Sequence, residues 1–535
     1  MNHTLRVTRR PGALSRRNAW ALVAAGVSLA LTGCGSTALR TTAVPVNNGY
    51  VQNESGQFVD PSTGEIVDPA QAGGGLSAGV PGGVGSTGPG SVTAGGLGGS
   101  PGTGSPGIPV PGAPGTKAPA SAPVAGPLTV GVMTVNVDAI AAVFGQKPGD
   151  RPKFWEAWAK KVNANGGVAG RKVKIVTSEI RSDESASVAA QRACATFTQD
   201  NKVNVVVSQP TGTDVLAACL KAAGVPLIDG SFVGLDRTMA TQFPNWIFPA
   251  AIRSDRLAAA QMQQAVSSGL LKRGSNLGVL IEDCPANKRV RDTAIKPAAA
   301  NAGVKVTEGS FRCVQSLVGD LAGVSNDIQR ETLRFASAGV THVIIVSIAE
   351  AFALSNFTKN ASQQKYFPKY LATSLAYPFQ DTRSDAIIKI SSDAVPNIYG
   401  MGIAPLLDTG SQAAVNAAQA SARRYCDRIE PTRNNVADAP ANSRPFQLQG
   451  FYSLCDGFRV LQLVLEANGG RTAYPDFANG FRTLLSKGGG SSVFPTGSFA
   501  PASAERTDGA SVVRAWKYNG SSQQWIYYGN PIRVP

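Results

Sequence analysis

From Leu128 onward the chain alternates short β-branched runs with amphipathic helical stretches, the order that a parallel sheet with crossover helices requires. Leu128 to Met133 reads as the first strand; Phe154, Trp155, Trp158 and Val162 follow at helical spacing, and that helix stops at Asn163-Ala164-Asn165-Gly166-Gly167. The pattern predicts a strand at Lys172 to Val176, a helix over Ser185 to Thr198, a strand at Val203 to Val207, a helix from Asp214 to Ala223 and a strand at Pro226 to Ile228. Then the same order begins again. Strands at Leu277 to Ile281, Val304 to Val306, Thr341 to Val346 and Tyr370 to Ala372 are separated by helices at Asn287 to Asn301, Asp320 to Ala338 and Ala349 to Asn360. Two serial sheets of this kind imply an α/β protein of two lobes. Helical patterns at Gln412 to Ile429 and Phe451 to Ala467 come next, and Ser511 to Tyr528 reads as a strand pair around Asn519-Gly520.

Upstream the composition changes. From Gly35 to about Gly126 Gly, Pro, Ser, Ala and Thr dominate, with too few large apolar side chains to offset the entropy of ordering a backbone. Residues 34–126 therefore read as a disordered linker, whose reach as a flexible coil is roughly 50 Å. Within it Phe58-Val59-Asp60-Pro61 is echoed by Ile66-Val67-Asp68-Pro69 around Ser62-Thr63-Gly64; the echo is compatible with a small hairpin, but a turn in disordered chain is the expectation. Before the linker, Arg6, Arg9, Arg10, Arg16 and Arg17 precede an apolar stretch from Ala19 to Leu31 that is too short to span a bilayer, so residues 1–33 read as an export signal. Thr32 and Gly33 directly before Cys34 resemble the lipobox of bacterial lipoproteins, in which the cysteine is acylated and the peptide is cut before it. The resemblance implies a chain lipid-anchored at the extracytoplasmic face of the membrane, each buried methylene contributing roughly 0.8 kcal/mol.

The formal net charge is +15. Loss of the signal arginines leaves about +10, scattered, with no Lys/Arg run beside aromatic residues in the alternating part; nucleic acid is not an expected partner. Of two histidines, His3 lies in the signal and His342 inside the apolar run Val340 to Val346, which argues against histidine-dependent catalysis and histidine metal sites. No enzyme activity, cofactor or metal is expected. Besides Cys34 there are six cysteines, an even number in an exported chain, for which fifteen connectivities are open. The sequential pairs Cys194 with Cys219, Cys284 with Cys313 and Cys426 with Cys455 are expected, because each joins neighbouring elements of one layer. No CxxC pair is present to favour zinc.

Asn163 to Val173, with its Gly166-Gly167-Val168-Ala169-Gly170-Arg171-Lys172 core, resembles a segment common in type I periplasmic binding proteins of the leucine/isoleucine/valine-binding kind. Val203 to Ser208 followed by Thr211-Gly212-Thr213, and then Ala222 to Ile228, are similar to that family in order and spacing. The resemblance implies that residues 127–535 form a two-lobed ligand-binding domain, each lobe a mostly parallel sheet flanked by helices, closing over a small molecule. Crossovers near Pro249-Ala250, Thr373-Ser374 and Pro495-Thr496 would assign residues 127–249 and 375–494 to one lobe and residues 250–374 and 495–535 to the other. Ligands in such folds sit beyond the carboxyl ends of the strands. Thr211, Gly212 and Thr213 precede the helix at Asp214, where hydroxyls and free N–H groups suit a carboxylate, although Thr213 or Asp214 as a plain helix cap fits equally. Ser231 and Phe232 resemble a second contact loop. Glu350, just after the strand ending at Val346, stands where amino-acid-binding members place an acid for the ligand ammonium, and Ser374 and Tyr377 would line the cleft or the hinge.

Two departures leave the ligand class open. Asp283-Cys284-Pro285-Ala286-Asn287 replaces the loop that often offers tyrosine then glycine, and Val233 stands where amino-acid binders tend to carry a hydroxyl. The resemblance implies a monomeric solute-binding lipoprotein of an ABC importer, presenting a branched-chain amino acid or a related amino-acid-like, carboxylated or amide molecule to a permease. A ligand-sensing receptor module with the same cleft and no transporter is the alternative. An envelope hydrolase would need a nucleophile with a base, and the alternating part has neither an accessible histidine nor a Gly-x-Ser-x-Gly elbow.

Overall fold

The computed structural model describes four two-residue strands between residues 44 and 67 and then residues 124, 126–135, 152–181, 184–208, 213–231, 233–249, 251–316, 319–381, 389–410, 417–429, 444–486 and 508–534. Residues 1–33, read above as an export signal, and Cys34 lie outside the described residues. No helix among the described residues is long and apolar enough to cross a membrane. Residues 1–113 and 114–535 are separate compact units. In the first, β1 (Val44–Pro45), β2 (Val51–Gln52), β3 (Phe58–Val59) and β4 (Ile66–Val67) form an antiparallel meander. The expectation of a mere turn is corrected: Phe58 pairs with Val67 and Val59 with Ile66, so the echoed apolar pairs meet across a hairpin.

The second unit opens with β5 (Leu128–Val135), α1 (Pro152–Ala164), β6 (Val173–Ile180) and α2 (Ala186–Cys194). β7 (Val205–Ser208), α3 (Asp214–Ala222), β8 (Leu227–Asp229), β9 (Val233–Gly234), α4 (Arg237–Gln242) and β10 (Trp246–Ile247) complete the first run. Its five-stranded sheet has the order β10-β8-β7-β5-β6, parallel throughout. Every residue of β7 is buried, as a strand covered on both faces by helices demands. On α1, Phe154, Trp155, Trp158 and Val162 enter the core, where Trp158 lies 4.5 Å from the Phe458 ring.

The family-like segment after α1 is a mechanical joint. Gly167 has φ +87°, and a Cβ there would stand 2.0 Å from the Arg171 carbonyl oxygen, so only glycine closes this turn. The turn aims Arg171 inward, where its guanidinium donates to the carbonyls of Gly126, Pro127 and Gly470 and to Asn204 Oδ1 at 2.8–3.2 Å. A buried arginine thus ties the start of the domain to Gly470, 299 residues further along the chain.

β11 (Ile252–Arg253) pairs with β9 and leads into α5 (Ser254–Ser267), β12 (Asn276–Glu282), α6 (Pro285–Val290), α7 (Lys296–Asn301), β13 (Lys305–Phe311) and α8 (Leu321–Ser337). β14 (His342–Val346), α9 (Glu350–Gln363), β15 (Lys369–Thr373) and β16 (Ile398–Gly402) follow. Then come α10 (Ala417–Asp427), α11 (Arg444–Ala467) and α12 (Tyr474–Ser486), before β17 (Val512–Asn519) and β18 (Gln524–Arg533) return. The second sheet has the order β13-β12-β14-β15-β16-β17-β18, parallel through β16 and antiparallel after it.

The second crossover differs from the expected Thr373-Ser374. β16 extends the second sheet beside β15, so the chain leaves that lobe only after Gly402; Ile403 still packs with the second-lobe side, whereas Leu406 enters the first-lobe core. Residues 398–402 consequently belong with the second lobe, not with the first. Pro495-Thr496 lies outside the described residues. Nearby, Asp508 bridges to Phe248, and Ile252, Ile403 and Ala510, one residue from each passage between lobes, share a small apolar cluster with Met401 and Val513. The disulfides join Cys194 to Cys219, Cys284 to Cys313 and Cys426 to Cys455 with Cα separations of 6.1, 4.9 and 5.9 Å, the sequential pairing.

Candidate functional site

At the carboxyl ends of the parallel strands, buried acids hold the loops in place. Asp229 ends β8 fully buried, and its Oδ1 accepts from the Ser231 amide at 2.8 Å and from the Ser231 hydroxyl, while Oδ2 accepts from Trp246 Nε1 at 3.1 Å. Burial pushes this carboxyl above the usual range, against the pull of those donors. In the second sheet Glu282 ends β12 in the same way. Its Oε1 accepts from Val314 N at 3.0 Å and its Oε2 from Ser347 Oγ at 2.8 Å, so one side chain joins the ends of β12, β13 and β14; burial again raises its pKa.

The expected site residues divide sharply. Thr211, Gly212 and Phe232 lie outside the described residues. Thr213 takes the plain capping role: its hydroxyl oxygen accepts from Leu216 N at 3.2 Å at the start of α3. Ser231, half-buried, is oriented by Asp229 with its hydroxyl proton committed, which leaves the oxygen to accept. Glu350 corrects the expectation of an acid facing a ligand ammonium. It is fully buried, with Oε1 accepting from Thr373 N at 2.7 Å and Oε2 from the Thr373 hydroxyl. Burial raises its pKa to about 8, with buried Asp408 adding to the rise. Its work is internal, holding the end of β15 against the first turn of α9.

Ser374 serves the hinge rather than the cleft. Its Oγ accepts from Ile403 N at 3.0 Å and Ala404 N at 3.3 Å, fixing the strand end at which the chain leaves the second lobe. Tyr377, half-buried, follows with φ +45°, a left-handed backbone that a tyrosine adopts only where its surroundings impose it. Asp408 lies against this joint, accepting from Tyr527 Oη at 2.7 Å, and burial raises it to about 7.

Residues that the sequence reading did not single out include Asp229 and Glu282, and also Ile348, a side chain 75% exposed in the loop after β14. The available signal was an acid closing an apolar run, as in Leu227-Ile228-Asp229 and Leu280-Ile281-Glu282. Among the described residues the one cluster with metal-ligand spacing is Glu282, Cys284 and Cys313, and both sulfurs are spent in a disulfide, so no thiolate is offered.

Polar contacts outside the passages themselves also reach from one lobe to the other. Arg289 on α6 binds Asp236 with Nε at 2.5 Å and Nη2 at 3.1 Å, and Asp236 also caps α4 by accepting from Met239 N. The Ala186 amide at the start of α2, beyond the edge strand β6, donates to the carbonyl of Gln315, in the loop after β13, at 3.2 Å.

A family model described as periplasmic binding protein matches residues 155–424. No curated protein sequence matches the chain. Among solved structures it is similar to a branched-chain amino acid ABC transporter protein from Thermus thermophilus with bound valine, at 16% identity and a TM-score of 0.53, covering 76% of this chain and 97% of that one. It is similar also to a type 1 periplasmic binding protein from Bordetella pertussis Tohama I, at 15% identity and a TM-score of 0.52 over 76% and 100% of the two chains. A fatty acid ABC transporter substrate-binding protein from Thermomonospora curvata shares 15% identity and a TM-score of 0.50, over 77% and 96%. At these identities the likeness is one of fold: two mostly parallel sheets with flanking helices.

Proposed function

Because the chain belongs to the periplasmic binding protein family, we propose that it is an extracytoplasmic solute-binding lipoprotein that captures a small polar ligand between its lobes and presents it to an ABC permease. The observation that carries this reading is the pair of strand-end loop sets, each ordered by a buried acid, Asp229 in one lobe and Glu282 in the other, with Arg289–Asp236 and Ala186–Gln315 reaching between the lobes. Loops held so firmly are pre-organised to bind rather than to rearrange. Closure follows from the ligand touching both lobes and so favouring the joined arrangement.

The ligand class is an amino acid or a related carboxylated or amide molecule. Thr211, Gly212, Ser231 and Phe232 supply the first-lobe contacts, with Ser231 as an acceptor and Phe232 as an apolar wall. With Glu350 engaged internally, an ammonium is not gripped through that residue, which widens the class beyond α-amino acids. Cys34 carries the lipid, and the Gly/Pro-rich stretch lifts the domain from the membrane as a monomer.

A thermal-shift screen of the purified protein against amino acids, small carboxylates, amides, short peptides and fatty acids tests this. A ligand at a hundredfold excess over its Kd stabilises by about 2.7 kcal/mol, an easily read rise in Tm. Ser231→Ala is expected to shrink the shift for the ligand found. No shift with any of these classes would sink the reading.

A further inference from the structure

The contact between Arg289 and Asp236 stands out because it is a two-pronged ion pair between lobes, not within one. Asp236 is almost fully buried at the head of α4, and the guanidinium reaches it from α6 of the other lobe. Its surroundings sharpen the case. Asp255 lies close enough to feel both Asp236 and Asp508, so three acids gather where the lobes join, offset by Arg253, Arg256 and Arg289. Of these arginines, Arg289 alone comes from α6, beyond β12 in the second lobe. Without it Asp236 would lose its ion pair to the opposite lobe.

We propose that Arg289 and Asp236 form a clasp that sets how readily the two lobes close, making them affinity-determining residues that never touch the ligand; this rests on the proposed capture of a ligand between the lobes. Its first-lobe half, Asp236, closely follows β9, which pairs with β11 at the first passage between the lobes. The second contact, Ala186 N–H to Gln315 O, joins the helix after β6 to the loop after β13, and Cys313 of that loop is disulfide-bonded to Cys284 at the head of α6. That amide is a first-turn donor of α2 with no acceptor inside its own helix, so its protection depends on the opposite lobe being near. Two rigid lobes turning on one hinge couple these contacts: loosening the first opens the second. Ala186 itself belongs to the first lobe, so its amide reports the lobes parting, while Lys288→Gln, on the same helix as Arg289, controls for any disturbance passed from α6 through that disulfide.

The test is amide hydrogen exchange of the full chain, followed by mass spectrometry, in the wild type, Arg289→Gln, Arg289→Lys and Lys288→Gln. Lys288 is on the same helix but pairs with Asp283 of its own lobe, which makes its variant the control. Arg289→Gln is expected to speed exchange of the segment holding Ala186 by about fivefold or more, with β5 and β12 unchanged. Arg289→Lys, which keeps the charge but not the fork, should fall between, and Lys288→Gln should match the wild type. Unchanged exchange at Ala186 in Arg289→Gln would overturn the clasp. So would faster exchange spread through β5 and β12, which would make the pair a general stabiliser. The measurement needs no ligand, so its failure is separate from a failure of the ligand screen.

Discussion

Glu350 shows how a single side chain misleads when read from sequence. An acid in the first turn of a helix after a strand looks alike whether it meets a ligand, the helix dipole or the interior. Here burial raises its pKa from 4.5 to about 8, and Asp408, raised to about 7, shares the same joint. The sign follows from linkage. Below pH 4.5 the carboxyl is neutral folded and unfolded, and it contributes nothing. Between 4.5 and about 8 the unfolded chain gives up a proton that the folded chain retains, so this group lowers stability by about 1.4 kcal/mol per pH unit. Glu350→Gln removes that slope while preserving the shape of the bonds to Thr373. Calorimetry is expected to show its Tm gaining on the wild type as pH rises from 5 to 8; parallel profiles would mean that the carboxyl is ionised in the fold. Asp229 and Glu282 were equally hidden, because an acid ending an apolar run states that something holds it but not what.

At the scale of elements, legibility tracks how plainly an element buries one apolar face. β7, β12 and β14 are runs of β-branched and aliphatic residues covered on both sides, and their places follow directly from Val205-Val206-Val207 and Val343-Ile344-Ile345. α5 and β16 are not among the elements that the pattern predicts. α5 buries Arg256 and Gln261 among its apolar residues, Gln261 donating to the Ala372 carbonyl at 2.7 Å, so its inner face does not read as a hydrophobic stripe. β16 is Ile398-Tyr399-Gly400-Met401-Gly402, and two glycines in five residues argue against a strand. Packing makes them necessary. A Cβ on Gly400 would stand 1.9 Å from the Trp516 ring, and one on Gly402 would meet Asp408 and Ser374. Missing β16 misplaced the second crossover. Gly400→Ala is accordingly expected to cost about 1–3 kcal/mol by overpacking Trp516, read as a lower denaturation midpoint with an unchanged m-value. A variant as stable as the wild type would show that β16 does not lie against that ring.

Over the whole ligand-binding unit, the chain passes between lobes three times, and the passages are bound to one another. Asp508 bridges Phe248, accepts from Arg253 N at 2.9 Å and pairs with buried Arg256, whose guanidinium also donates to the carbonyls of Ala510 at 3.1 Å and Val534 at 2.7 Å. One ion pair therefore joins the last strand region of the first lobe, the first helix of the second, and the returning tail. A hinge built this way bends without parting, because the apolar cluster of Ile252, Ile403 and Ala510 packs the passages side by side while the lobes beyond them keep separate cores. Such a joint couples the stability of the two lobes. Asp508→Ala leaves Arg256 charged and buried, a change that costs about 3–5 kcal/mol when a buried pair is broken from one side. Guanidinium unfolding followed by tryptophan fluorescence is expected to show a midpoint lowered accordingly and a single transition in the wild type, since Trp155 and Trp158 report the first lobe and Trp516 and Trp525 the second. In Asp508→Ala the transition is expected to broaden or divide as the lobes lose their common pin, and a variant that keeps both the midpoint and the single step would place the coupling elsewhere in the hinge.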